Sequence, residues 1–551
     1  MSEEESRQED GHGKAYWFFK NFLSGTGNFA RNHTKLFLVI TFIAVLLFLA
    51  ARGYIHLQVI YLRKHFGLFL ATVFLTWLVW RLLSRGSWKT KIATISVVIL
   101  GLGFAYEWGK AVHQYLALYY RYKTLPMVEL DKLPLTDHER IQPLNSVYSL
   151  AHEVSADTQS PTLPDFIRVG ENRYNWSMGI EPTYWWNKTF GHISSLYSVQ
   201  GTTASPDFSE KTKIPVNFGV GEGLNYGRNT YVAVVRAFGF WRFLNYEPDT
   251  VMYVPDDNGE WVQVVPLIRW TGILFPWPEF GGVQVIRQHE QSIVHSLIRS
   301  LVGVGEWVRP EDIEKHPYLA GQNILSYKVS RFMANGFRFH GGFWAPFPGN
   351  HEGDIRIPDL PMDMNDLPFT IYLNFDEGVG QSKLYHYFSL EPYNIGLQGL
   401  NISVFIPADG ERKVYIYRHY TRNEALIGVS SVAAKVMESR KQNDWNRNKP
   451  VENRPWIHEF RGKRPFFWLT TVVTIKDDSS RIQAVANGGS QDIKPINIEP
   501  GSIRFIAGSH PDVILTDANY KMPIWLKPPL DPKGWPEQVE AAMADHWNSE
   551  K

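Results

Sequence analysis

Residues 36–51 read LFLVITFIAVLLFLAA, with no charged side chain. The apolar pattern continues to Ile55, giving about 20 residues, the length at which an α-helix covers roughly 30 Å of hydrocarbon. Two further segments follow. Phe66 to Leu83 is interrupted only by Arg81, whose guanidinium can reach an interface from near a helix end. Ile92 to Ala105 runs on through Tyr106, Glu107, Trp108 and Lys110 to Ala111–Leu118, as a third span with a polar lower half. Three such segments in succession argue against a buried helical hairpin of a soluble protein. The block from Leu36 to Leu118 therefore reads as three transmembrane helices in a lipid bilayer. Glu107 and Lys110 sit three apart and share a helix face, so an interfacial ion pair is the simple reading and a functional intramembrane carboxylate the sharper one.

Orientation follows from the cations beside the spans. Arg7, Lys14, Lys20, Arg31 and Lys35 before the first, with Arg81, Arg85, Lys89 and Lys91 between the second and third, make nine. Arg52, Arg63, Lys64, Arg121, Lys123 and Lys132 on the other side make six. The excess places the N-terminus in the cytoplasm and the large C-terminal region outside, as in a multi-pass inner-membrane protein with a periplasmic or extracellular part. Residues 1–13 are acidic and poor in apolar side chains, which describes a disordered tail. Ala15 to Ala30 sets Tyr16, Trp17, Phe18, Phe19, Phe22 and Phe29 among basic residues, the pattern of a helix lying at the headgroups. Residues 1–35 are thus expected to form a tail and an interfacial helix.

Composition excludes several chemistries. A net charge of +1 with 20% charged residues lacks the basic face of a nucleic-acid protein. The absence of cysteine removes disulfides, thiolate catalysis and cysteine-ligated metals, and suits an oxidising exterior. No Gly-x-Ser-x-Gly or His-Glu-x-x-His pattern occurs, since His295 falls two residues too late after His289-Glu290.

Beyond the spans, residues 119–165 read as a proline-punctuated connector, 166–440 as a β-rich extracytoplasmic region, and 441–551 as a continuation of the sheet or a small second domain. The fold class is membrane-anchored α+β, with an antiparallel sandwich- or barrel-like exterior. Two hairpins carry it: Val251–Val254 and Trp261–Ile268 around Asn258-Gly259, and Ile402–Ile406 and Lys413–His419 around Asp409-Gly410. In the second, Val414 and Ile416 alternate with Tyr415 and Tyr417, so the sheet should be covered on both faces or present an aromatic contact surface. Thr230–Phe238, Phe369–Phe375, Leu384–Leu390, Phe466–Ile475 and Ser502–Ala507 are further predicted strands. Predicted helices are His289–Val302, one capped by Asn423 that buries Leu426, Val429, Ala433 and Val436, and one from Pro536 over Glu537–Trp547. The polar run Glu438–Glu452 marks the expected internal boundary.

Two stretches invite a chemical reading. Phe218–Gly227, FGVGEGLNYG, has the glycines of a phosphate loop. It lacks the Lys-Ser or Lys-Thr, and no helical pattern follows, so it reads as a mobile β-loop with Glu222 offered at its tip. His340–Asp366 gathers His340, Trp344, His351 and Glu352 as ligand-binding candidates, with Asp354, Asp359 and Asp363 as oxygen donors for a hard cation such as calcium. Its carboxylates would also serve a carbohydrate-active or cell-wall enzyme. Without a catalytic motif, the favoured expectation is a non-enzymatic structural or interaction subunit of an envelope complex, homo-oligomeric or joined to other envelope proteins, with no cofactor required. The aromatic Pro/Gly segments Leu274–Gly282 and Gly341–Pro348 are read as exposed contacts, either subunit interfaces or contacts with the membrane surface. A transporter or channel accessory using Glu107 and Lys110 is the remaining class.

Overall fold

The computed structural model describes residues 34–83, 109–170, 172–203, 207–208, 212–288, 303–360, 368–394, 399–419, 426–476, 504–505, 512–528 and 530–549. Its helices are α1 (Thr34–Lys64), α2 (Phe66–Leu83), α3 (109–124), α4 (Leu144–Val154), α5 (Trp185–Phe190), α6 (Thr230–Arg236), α7 (Phe240–Asn245), α8 (Tyr327–Asn335), α9 (Val429–Ser439) and α10 (Trp535–Ser549).

The first apolar segment forms α1, but the helix does not stop near Ile55. It runs 31 residues to Lys64, because its second half is docked on the β-rich region. Among the described residues, one helix, over Leu38–Lys64, is long and apolar enough to cross a membrane by length and composition. The three-span expectation is thus met at one helix. The second segment forms the 18-residue α2. Ile92–Ala105 and Glu107 lie outside the described residues, as do 1–33, whereas Lys110 lies in α3.

Among the described residues the strands form four sheets, almost wholly antiparallel. The first has the order Met127–Glu129, Val414–Arg418, Ile402–Pro407, Lys383–Pro392, Phe369–Asn374, Leu135–Asp137, with Ile355–Arg356 on the end of Lys383–Pro392. Its one parallel pair joins Met127–Glu129 to Val414–Ile416. The second sheet orders Gln159–Pro161, Tyr174–Pro182, Ile193–Gln200 and Lys213–Phe218, with Asp165–Arg168 also on Tyr174–Pro182. The third orders Glu306–Val308, Trp277–Ile286, Trp261–Thr271 and Tyr246–Pro248, with Met252–Pro255 beside Trp261–Thr271. The fourth orders Asn448–Ile457, Phe466–Lys476, Asp512–Asp517 and Pro523–Trp525, with Arg504–Phe505 on the end of Phe466–Lys476.

Both predicted hairpins form where the turn chemistry placed them. Trp261 pairs with Pro255 across a turn in which Gly259 has φ +80° and the Asp256 carboxylate accepts from the Asn258 and Glu260 amides at 2.9 and 3.0 Å. Ile402–Pro407 pairs with Val414–Arg418, with Gly410 at φ +84°. Val414, Tyr415 and Ile416 are all buried, so this sheet is covered on both faces. The fourth sheet shows the same period of two. Phe466 and Trp468 face a core shared with the first sheet and α9, while Phe467 and Leu469 face Trp535, Val539 and Met543 of α10.

Several expectations are overturned. Thr230–Phe238 is helix α6, not a strand. Asn229 accepts from the Val232 amide, and Val232 to Arg236 are buried between α1 and the third sheet, so packing and a cap outweigh the β-propensity of the valines. A helix therefore does follow the glycine-rich loop. Asn423 and His289–Val302 lie outside the described residues; α9 begins after Gly428, and its N-terminus is satisfied from the first sheet. The Ser430 amide donates to Glu391 Oε1 at 3.1 Å and the Ser430 hydroxyl to Oε2 at 2.5 Å. A Cβ at Gly428 would occupy the position of that carboxylate. Residues 119–165, read as a connector, supply α4 and strands to two sheets. Three-residue strands between prolines carry no readable period. Helix α10 begins at Trp535, one residue before its predicted start.

Candidate functional site

The loop from His340 is held from inside rather than open to a ligand. Asp354 is 2% exposed; it accepts from Arg338 Nη2 at 3.2 Å and lies 3.1 Å from His351 Nδ1. The His351 ring stacks on Tyr393 with centroids 3.7 Å apart, and the Arg356 guanidinium lies 4.4 Å from the Tyr393 ring. Arg, carboxylate, imidazole and phenol thus form one staple between this loop and the strand Lys383–Pro392. His351 itself takes φ +52° and Gly353 φ +68° to make the turn. Glu352 and Asp359 are exposed and are not gathered with Asp354; Asp363 lies outside the described residues. His340 is half-buried; burial, with Arg418 nearby, lowers its pKa. Among the described residues no three His, Asp or Glu side chains are placed to hold a metal ion, so a calcium site does not assemble from Asp354 and Asp359. Trp344 is exposed, edge-on to Phe343 at 4.9 Å and Phe347 at 5.4 Å.

The glycine-rich loop has a different purpose from the one its spacing imitates. It wraps a carboxylate of its own chain. Gly223 N donates to Glu181 Oε2 at 2.6 Å, and a Cβ at either Gly221 or Gly223 would collide with the Glu181 carboxylate. Glu222 is half-buried and held from within: its carboxylate accepts from the Val251 amide at 2.8 Å. Asp165 and Asp249 are close enough to repel it, and Asp249 also accepts from the Ser326 hydroxyl and pairs with Lys328 at 3.4 Å. Burial, with Glu181 and Asp249 as like charges, pushes Glu222 up to about 7 against the Val251 amide, and burial with Glu222 and Asp249 raises Asp165 well above the usual carboxylate range. Burial raises Glu181 too, against the amides that favour its charged form. The Tyr253 hydroxyl beside them is fully buried. Proton uptake near neutral pH is what such a cluster can do. The signal is split between two strand ends, a loop tip and the turn at Asp249, so no spacing reveals it.

The third feature is the junction between the apolar helices and the sheets. Leu36, Leu38, Phe42, Leu47 and their neighbours on the first half of α1 are exposed. On the second half one side is covered: Arg236 donates to Ala50 O at 2.8 Å, Arg52 to Phe238 O at 3.2 Å, His56 meets the Tyr231 hydroxyl at 2.7 Å, and Lys64 pairs with Glu247 at 3.0 Å. The other side stays uncovered and apolar, through Tyr54, Ile55, Leu57, Tyr61 and Leu62. Gly53 permits this docking, since a Cβ there would strike Val232 of α6. Around the junction stand uncovered aromatics on short turns, and a separate group, Tyr184, Trp185, Trp186, Phe190 and Tyr226, is exposed on and beside α5. Comparison with protein-family models, with curated proteins and with solved structures returns no match.

Proposed function

We propose that this chain is a multi-pass protein of a bacterial inner membrane, with its N-terminus in the cytoplasm, and that its β-rich region is an extracytoplasmic structural subunit of an envelope assembly. The observation that carries the reading is the exposed aromatic group at α5, where Trp185 and Trp186 are 56% and 65% exposed on a region fastened to an apolar helix. Exposed tryptophan is enriched at protein interfaces because one rigid side chain buries a large area on binding. The three spans and the orientation rest on hydropathy and on the excess of cations at residues 7–35 and 81–91. Glycoside chemistry finds less support, because Asp354 is enclosed and bonded to Arg338.

Two measurements test this. In a chain without native thiols, an externally applied impermeant maleimide should label Ser490→Cys but not Ser87→Cys in intact cells; the reverse pattern inverts the orientation. The gently solubilised protein should have a mass that is a multiple of the single chain, or carry stoichiometric partners. Trp185→Ser with Trp186→Ser should reduce it to a monomer. A wild-type monomer with no crosslinked neighbour removes the assembly reading.

A further inference from the structure

We propose that the β-rich region is seated directly on the bilayer, with Phe240, Trp241, Ile273, Leu274, Trp344 and Phe347 in the headgroup–acyl boundary. The proposal rests on the membrane reading above and names the lipid surface as the occupant of these tips.

Each pair is tied to one of the helices near the anchor. Phe240 and Trp241 open α7, whose Phe243 lies edge-on to Phe48 of α1 at 6.0 Å. Ile273 and Leu274 form the turn after the strand Trp261–Thr271. Arg63, at the end of α1, donates to Trp270 O at 3.1 Å and to Gly272 O at 2.5 Å, and His113 of α3 is bonded to Leu274 O at 2.9 Å. Backbone of the same turn lies so close to α2 that a Cβ at Gly67 would meet Leu274 O. Trp344 and Phe347 come just after Phe343, whose carbonyl accepts from the Tyr115 hydroxyl of α3 and whose ring lies 4.8 Å from Tyr119.

These tips are left open although their stems are fixed. Trp241 is 74% exposed, Ile273 71% and Trp344 62%. The uncovered side of α1 from Tyr54 to Leu62 is apolar as well. Large amphipathic rings beside apolar helices are the composition of a membrane–water boundary, where ring and headgroup match. A water-facing surface would strand this apolar area in solvent.

The full-length, cysteine-free chain allows a direct test. Single cysteines at Trp241, Ile273 and Trp344, all at uncovered side chains, are labelled with bimane and reconstituted in vesicles of equal parts phosphatidylcholine and phosphatidylglycerol with brominated acyl chains. Leu47→Cys on α1 reports the anchor. Asn258→Cys reports the hairpin at the opposite end of the strand that ends at Thr271. Bromolipid should quench the three tips and Leu47 by about twofold or more while leaving Asn258 unchanged. Quenching at Leu47 with tips that behave as Asn258 overturns the seat and leaves the anchor standing. No quenching at Leu47 overturns the anchor and the seat together. Tips that bromolipid leaves bright, but that are shielded from aqueous iodide only at high protein density, belong to a protein interface, and the seat is overturned.

Discussion

Glu181 and Glu222 differ by one bond pattern and so by one consequence. Glu181 takes a loop amide and fills the space that Gly221 and Gly223 leave, so Gly223→Ala must displace a buried, bonded carboxylate. The expected cost is about 1–3 kcal/mol, read as a lowered melting temperature, and Glu181→Ala in the same chain should recover part of it. Glu222 has a folded pKa of about 7, above its unfolded value. Between the two, the folded state holds a proton that the unfolded chain has released, so this group's contribution to stability falls as pH rises towards 7. Buried His386 and His419, both lowered by burial to about 3, act oppositely and cost stability as pH drops below the unfolded histidine value. The difference between wild type and Glu222→Gln isolates the carboxyl. The variant should gain on the wild type by about 2 kcal/mol between pH 5 and pH 8; a gap that does not widen with pH removes the proton from Glu222. None of this was legible in sequence, where the loop's glycines resemble a phosphate cradle because an internal carboxylate asks the backbone for the same thing.

At the scale of elements, turn chemistry was readable and capping was not. Asn258-Gly259 and Asp409-Gly410 announce their hairpins because positive φ is a local demand. Helix α6 escaped because Val232, Val234 and Val235 favour a strand on their own, and only the neighbours that bury them select the helix. Helix α9 takes its cap from Glu391, on a strand of the first sheet that is distant in the chain, so no window of sequence contains both. Glu391→Ala should cost about 1–2 kcal/mol and fray the first turn of α9, detectable as faster amide exchange at Ser430–Val432. The docking of α1 on α6 depends on Gly53. Gly53→Leu should cost about 1–3 kcal/mol by overpacking and open the junction to proteolysis.

For the whole molecule, composition and turn chemistry foretold a β-rich region, but the partition of that region is written in long-range contacts. Arg140 is bonded to Glu452, which also pairs with Arg454; Thr136 exchanges hydrogen bonds with Ile457; and Ile141 sits in the core that Trp456 and Trp535 share. The polar run before Glu452 therefore interrupts the pattern of the sequence without detaching the C-terminal sheet from the rest. A chain ended after Ser439 would leave the Arg140 guanidinium and the Thr136 hydroxyl without these partners. It should yield no monodisperse species in mild detergent, whereas a well-behaved fragment would show that 441–551 is dispensable to the rest.

The parallel pair of Met127–Glu129 with Val414–Ile416 sets a schedule as well as a shape. The edge next to the anchor emerges early from the ribosome and finds its partner only after the chain has been made as far as Ile416. At synthesis rates of roughly 5–20 residues per second, that is a delay on the order of tens of seconds. Throughout it the first strand waits with its hydrogen-bonding groups unanswered, and the nascent protein depends on whatever shields an open sheet edge during that interval.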